Sequence, residues 1–279
     1  MGKEQPQEGA LRRILITGAA GTIGRVLRQH MRGHYDLLRL ADIAPQEPAG
    51  PGEEVCDLDI RDPQSVQQCM QDIDCVLHFA GVPEEAPWPQ ILSLNIDGVY
   101  NVFEAARIQG VKRVIFASSN HAVGFHRRER FLDNEVQPRP DTRYGASKVF
   151  GEALGRLYAD KHGLSVACLR IGTFRTPDRP SEPRQLLSWL SHGDMVRLAR
   201  RCIDYPEYHF LVAYGVSKNL RSRWDNSNVK FLGYEPQDDS EAFAADIFAK
   251  SGTEDPIAAQ FHGGFFCPME FSGDTNAID

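Results

Sequence analysis

The chain has 279 residues, of which 42% are hydrophobic and 25% charged, and its formal net charge is -7. That suits one large α/β domain with a substantial core, or such a domain with a small appendage. Lys and Arg are scattered rather than gathered into a basic stripe, which argues against nucleic-acid binding.

The N-terminal MGKEQPQEGALRR is polar and lacks an apolar h-region, so no signal peptide is expected. MGKEQP lacks the Ser or Thr of a myristoylation signal. No apolar run approaches the roughly 20 residues that span a bilayer. Six cysteines form no CxxC pair and read as reduced thiols of a cytoplasmic protein. The histidines show no metal-ligand spacing, and no metal is expected.

RRILIT (12–17) reads as a strand and TIGRVLRQHM as a helix. Between them, ITGAAGTIG sets Gly18, Gly21 and Gly24 ahead of Thr22 and Ile23 at the helix start. Glycines let a backbone approach a pyrophosphate, and the helix N-terminus offers free N–H groups and partial positive charge. A lone glycine triplet also suits a tight turn. DLLRLAD (36–42) adds context: it is a second strand ending in Asp42, followed by Ile43. A carboxylate there can hold an adenosine ribose and repel a 2′-phosphate, favouring NAD. Alternation turns Arg39 away from that position.

EEVCDLD closes a third strand, with Asp57 and Leu58 placed to reach the adenine edge; for Asp57 a solvated loop carboxylate is the rival reading. DPQSVQQCMQD is a short helix capped by Asp62 with Pro63 in its first turn. DCVLHFAG is a fourth strand, and its terminal Phe79, Ala80 and Gly81 would let a cofactor lie close. QILSLNIDGVYNVFEAARIQG reads as one long helix closed by Gly110. Within it, Asn95 is expected to bond backbone near the fourth strand and the cofactor.

KRVIFAS is a fifth strand, running into Ser118, Ser119, Asn120 and His121. In an open parallel sheet the reactive crevice lies beyond the strand carboxyl ends. Ser119 is therefore delivered to the crevice, with Asn120 and His121 aimed into the adjoining substrate space, while Ser118 faces away. A loop imidazole bonded to backbone is the rival reading for His121. TRYGASKVFGEALGRLYADKHG is a helix that sets Tyr144 and Lys148 on one face at i and i+4. A lysine beside a phenol is expected to lower its pKa toward neutrality, so that Tyr144 can take a proton from a substrate hydroxyl as hydride leaves. Ser119 would share that proton, and Lys148 would also hold the nicotinamide ribose. YxxxK alone is a common surface pair; the glycine turn ahead of it raises the catalytic reading.

LSVACLRIG is a sixth strand. FRTPDRPSEPR then reads as loop, RQLLSWLSHGDMVRLARRCI as helical, YHFLVAYGVS as another strand and SEAFAADIFAK as an amphipathic helix. The last stretch, from about Gly252, is irregular. Asp225 and Asn226 suit either a pocket rim or a turn. His78, His126, His192, His209 and His262 read as structural, and Trp88, Trp189 and Trp224 as core or subunit contacts. The alternation of strands and helices predicts a Rossmann-like, doubly wound parallel sheet. The expected division is a polar extension over 1–10, a dinucleotide-binding domain over 11–172, and a small discontinuous substrate-capping portion over 173–279 that partly continues the sheet.

TGAAGTIG, Asp42, Ser119 and YGASK together resemble the extended short-chain dehydrogenase/reductase superfamily. LRLADI, FASSNH, RYGASK, LRIGT, LSWLSHGDMV, RWDN, FLGYEP and FHGGFF narrow the likeness to NAD-dependent uronate dehydrogenases. The resemblance implies an oxidoreductase that oxidises the C1 hydroxyl of D-glucuronate or D-galacturonate to an aldarolactone, using NAD, as a homo-oligomer. It implies substrate contacts from Ser119, Asn120, His121, Tyr144, Thr173 and Arg184. Arg184 would hold the uronate carboxylate bidentately, with Arg175 as the alternative, or would be a solvated loop residue. Two departures stand out: Thr173 where the family commonly has Ser, and Pro83 where it tends to place a substrate-touching Ser. The loop over 174–183 is also longer than the family's. Rival readings on the same fold are a sugar or nucleotide-sugar epimerase or dehydratase, and a non-catalytic NAD sensor.

Overall fold

The computed structural model describes residues 11–278; the polar extension expected over 1–10 lies outside the described residues. Strands β1 (Arg13–Thr17), β2 (Leu37–Asp42), β3 (Glu53–Asp57), β4 (Cys75–His78), β5 (Arg113–Ser119), β6 (Ser165–Ile171) and β7 (Phe210–Gly215) form one sheet in the order β3-β2-β1-β4-β5-β6-β7. Every pairing is parallel. The order reverses between β1 and β4, and that is the point where a crevice opens at the carboxyl edge of such a sheet.

Both faces are covered, so the strands read as nearly continuous apolar runs. Helices α1 (Thr22–Met31) and α7 (His192–Asp204) pack on one face over Ile14, Ile16, Leu40, Leu77 and Leu169. The alternate residues Leu15, Val76, Val114, Phe116 and Val166 face α2 (Pro63–Cys69), α4 (Gly98–Ile108) and α5 (Arg143–His162). α2 starts as its sequence suggests, with the Asp62 carboxylate accepting from Gln64 N at 3.0 Å and Pro63 in the first turn. α5 ends in a left-handed Gly163.

Two expected helices differ in the structure. The long one is α3 (Trp88–Ile91) continuing through a π-helical segment (Leu92–Asp97) into α4. The π-helical segment carries Asn95, whose amide closes on Val82: Val82 N donates to Oδ1 at 2.8 Å and Nδ2 donates to Val82 O at 3.1 Å. The helical run expected over 184–203 breaks into α6 (Gln185–Ser188) and α7. Trp189 forms a parallel bridge with Thr173, and Ser191 caps α7 by accepting from Asp194 N at 2.9 Å. Helix α8 (Ala244–Lys250) is the amphipathic helix expected near the end.

The sixth strand is not the last of the sheet. β7 adds beside β6, so the chain beyond residue 172 continues the sheet. Its final segment then returns to β5's end: His262 N donates to His126 O at 3.0 Å and Gly263 N to Gly124 O at 2.8 Å. Among the described residues no helix is long and apolar enough to cross a membrane.

Candidate active site

One cavity of about 760 Å³ runs across the carboxyl ends of β1, β2, β4, β5 and β6. At one end lies the glycine turn. Gly18 has φ +72, and a Cβ there would stand 2.7 Å from the backbone of Phe79 and Ala80. A Cβ on Gly24 would strike Gly18 and Ala19 backbone. Glycine at these positions lets the β1 and β4 loops and the start of α1 close together. Gly21 caps α1 without a side-chain hydrogen bond, leaving N–H groups of its first turn unused by side chains.

The Asp42 carboxylate is pinned at this end, accepting from Ala20 N and Ala44 N, each at 2.9 Å. Arg39 points elsewhere, to Glu54 and to the carbonyls of Cys69 and Gln71. Thr22, Ile23, Ile43, Leu58, Phe79, Ala80 and Gly81 line the cavity. Asp57 does not; Asp59 and Ile60 join Leu58 in that wall. Asn95 does not line the cavity either; it is buried, bonded to Val82 and, at 3.1 Å, to Ser147 Oγ. These features fit a dinucleotide: a tight glycine turn, an uncapped helix start and an acceptor-only carboxylate 18 residues beyond Gly24.

In the middle of the cavity stand Ser119, Tyr144 and Lys148, all buried. Ser119 sits in extended backbone at the end of β5, and the Lys148 Nζ lies 5.3 Å from the Tyr144 ring centroid. Burial pushes the Tyr144 phenol up to about 12, against the hydrogen bond from Ser119, which lowers it. Burial pushes Lys148 down to about 8. The expected lowering of the phenol by Lys148 is not found: burial dominates, and the Ser119 hydrogen bond is what opposes it. Ser118, expected to face away, borders the cavity too, but its hydroxyl is engaged by Glu152, donating to Oε1 at 2.5 Å. Glu152 is in turn held by a buried, bidentate Arg170 at 2.9 Å, and Arg170 also reaches Tyr214.

The far end is built from side chains. His121 Nδ1 is 2.6 Å from the Asp141 carboxylate. Asn120, with its amide turned to satisfy both neighbours, donates to Ile171 O at 3.0 Å and accepts from Arg184 Nη2 at 2.7 Å. Arg184 Nε donates to His262 O at 2.8 Å. Burial lowers the Arg184 pKa, with Asp141 and Glu182 opposing. Thr173 also lines the cavity, its hydroxyl 2.8 Å from Ser188 Oγ. Arg175 is not part of the wall and bonds Ser181 and Gln185 instead. Pro83 and Glu84 form the rim after β4.

Sequence reasoning passed over Asp141, Glu182, Gln185, Phe265 and Phe266. The last four line the cavity, and Asp141 sits behind His121. Only FHGGFF carried a signal, its paired glycines marking a close approach. Asp225 and Asn226 serve a turn: Asn226 exchanges hydrogen bonds with Tyr214 backbone, and Asp225 accepts from Ser227 N. His78, His126, His192, His209 and His262 all bond protein groups outside the cavity. Trp189 and Trp224 are buried, whereas Trp88 is 49% exposed. Among the described residues no three His, Cys, Asp or Glu side chains gather as a metal site.

A doubly wound sheet, a glycine turn facing an acidic strand end, and a Ser, Tyr and Lys grouping in one cavity define a dinucleotide-dependent dehydrogenase of the short-chain type. Comparison with known proteins agrees. Residues 14–192 match the model of the NAD dependent epimerase/dehydratase family. The uronate dehydrogenase of Pseudomonas putida is 42% identical over 257 residues, covering 91% of this chain and 95% of that protein. The crystal structure of a glucuronic acid dehydrogenase from Chromohalobacter salexigens superimposes with a TM-score of 0.89 at 40% identity, covering 95% of this chain and 99% of that one. A mutant of the uronate dehydrogenase from Agrobacterium tumefaciens, solved with NAD, has a TM-score of 0.88 at 41% identity, covering 92% and 97% of the two chains. The chain belongs to the NAD dependent epimerase/dehydratase family and, within it, to the uronate dehydrogenases.

Proposed function

We propose that this protein oxidises the anomeric C1 hydroxyl of a hexuronate, D-glucuronate or D-galacturonate, to the aldarolactone. The observation that carries the reading is a half-buried arginine, Arg184, at the far end of the cavity that also holds Ser119 and Tyr144. Arg184 spends Nε on His262 and one Nη2 hydrogen on Asn120, leaving Nη1 without a protein partner among the described residues. A guanidinium held on two sides and open on the third suits a sugar carboxylate.

The chemistry follows from what the residues can do. A pyranose is already a hemiacetal, so C1 bears both a hydroxyl proton and a hydrogen that can leave as hydride. The Tyr144 oxygen takes the hydroxyl proton, and the Ser119 hydroxyl shares it by hydrogen-bonding the same oxygen. To accept that proton Tyr144 must be ionised, and the Lys148 ammonium favours its phenolate form. Bound NAD supplies the hydride acceptor and a positive charge. Gly18, Gly21 and Gly24 with the start of α1 would take its pyrophosphate, and Asp42 its adenosine ribose. No water and no covalent adduct are needed to reach the lactone.

Residues 11–172 serve as the dinucleotide part in this reading and 173–279 mainly as the substrate cap, with β7 shared. Self-association is supported by Trp88, Tyr100, Ile108 and Leu157, each 47–49% exposed on the outer sides of α3, α4 and α5. A cytoplasmic setting is supported by six unpaired thiols. The test is NADH formation across glucuronate, galacturonate, mannuronate, glucose and galactose. Uronates should be oxidised well ahead of the neutral sugars, and Arg184→Met should erase that preference. Equal turnover of glucose and glucuronate by the unaltered enzyme would overturn the reading.

A further inference from the structure

We infer that Asp141 is a positioning residue for substrate recognition. It holds His121 with Nδ1 protonated, so that Nε2 faces the cavity as a hydrogen-bond acceptor and selects a sugar hydroxyl. The identity of the ligand rests on the uronate reading; the geometry of the pair does not.

The Asp141 side chain is 0% exposed, so it cannot itself touch a substrate. One carboxylate oxygen takes His121 Nδ1 at 2.6 Å and the other takes the Thr142 hydroxyl at 2.9 Å. Space for the carboxylate is made by glycines from two distant segments: a Cβ on Gly124 or on Gly263 would overlap it. A buried carboxylate is costly unless hydrogen-bonded, and here both oxygens are engaged.

An ionised carboxylate only accepts, so Nδ1 must carry the proton, and in a neutral imidazole Nε2 is then the acceptor. The ring cannot turn to exchange its nitrogens. Phe266 lies against it with centroids 3.9 Å apart, and Tyr144 meets it edge-on at 5.9 Å. His121 lines the cavity, and Nε2 has no protein partner among the described residues.

Its neighbours sharpen the point. Arg184 and Lys148 only donate, and both hydrogen-bonding groups of Asn120 are drawn toward Ile171 and Arg184. His121 Nε2 therefore adds an acceptor beside these donors, in a wall whose other side-chain acceptors include Glu182 and Gln185. A pocket that leaves a buried acceptor unpaired rejects an analogue lacking the matching hydroxyl far better than one that only loses contact area.

The test uses full-length enzyme labelled with ¹⁵N-histidine, the His121 signals being assigned by their loss in His121→Gln. Nδ1 should appear protonated and Nε2 unprotonated, and Asp141→Ala should lose that fixed pattern. In kinetics, Asp141→Ala and His121→Ala should each raise KM for the uronate about three- to tenfold, the weight of one neutral hydrogen bond. NAD affinity should not move, and the double variant should be no worse than the worse single one. Across 2-, 3- and 4-deoxy uronates the unaltered enzyme should penalise one, and Asp141→Ala should lose that penalty. Asp141→Asn, which keeps an acceptor oxygen, should restore most of it.

A protonated Nε2 in the unaltered enzyme would overturn the inference. So would additive effects in the double variant, or an Asp141→Ala enzyme that keeps its deoxy-sugar discrimination. Should Asp141→Ala fail to fold, the tautomer measurement on unaltered enzyme and the Asp141→Asn kinetics still decide. Absence of turnover on every uronate would sink the substrate reading alone, since the tautomer is read without substrate.

Discussion

The two ends of the cavity are made differently. At the dinucleotide end the working groups are mostly backbone: a turn of Gly18, Gly21 and Gly24, the first N–H groups of α1, and one carboxylate pinned by two amides. At the end proposed for the sugar they are side chains, Asn120, His121, Asp141 and Arg184, each held by another. Backbone recognition needs a local run of permissive residues and serves any ligand with the same phosphates. Side-chain recognition needs partners from distant segments and is correspondingly selective. A fold can thus keep the first end while the second is rebuilt.

The largest test of this contrast is Tyr144→Phe, which removes one oxygen at the junction of the two ends. Turnover should fall by about 10³-fold, within the usual span for a lost acid–base group. Dinucleotide affinity, measured by fluorescence titration, should stay the same. A matching loss of affinity would show that the ends are not separable.

Next is the buried pair behind Ser118 and Ser119. Arg170→Met leaves Glu152 without its cation, and breaking such a pair costs about 3–5 kcal/mol. Thermal unfolding should show Tm falling by roughly 10 °C.

Lys148 gives a signed pH test. Burial holds its folded pKa at about 8, below the ordinary 10.5. Between those values the unfolded chain binds more protons than the folded one, so this group makes cofactor-free protein gain stability as pH rises through the window. The full difference is on the order of 3 kcal/mol. Lys148→Met should therefore be more stable than the unaltered protein at pH 7 in urea unfolding, with the gap closing by pH 10.5. Tyr144 acts above this window: its raised pKa removes stability only as pH climbs from 10 toward about 12. A gap that widens with pH would contradict the burial assigned to Lys148.

The smallest effect is at Asp42. Asp42→Asn keeps an amide-facing oxygen but loses the charge that repels a 2′-phosphate. Preference for NAD over NADP, from kcat/KM ratios, should narrow by about tenfold.

The same contrast explains what could be read in advance. The alternation of strands and helices, the glycine turn, Asp42, and Tyr144 with Lys148 were legible because each is a local pattern with a fixed period or spacing. Asp141 was not, because its meaning depends on His121, Gly124 and Gly263, which the fold brings together from 17 to 122 residues away. Asp57 was misplaced by a strand end that turns its neighbour Leu58 inward instead. The break before α7 was visible in principle, since Ser191 stands three residues before Asp194 as a cap does. Asn95 was read with the right partner, backbone after the fourth strand, but the π-helical segment that carries it has no clear sequence signature.

The return of residues 261–267 has a consequence for how the molecule is made. A ribosome delivers β1 to β6, with the glycine turn and Tyr144, long before Phe266 and Gly263 emerge. A nascent chain can thus acquire its dinucleotide pocket early, while His121 and Arg184 wait for their last neighbours. The far end of the cavity is therefore completed after the glycine-turn end.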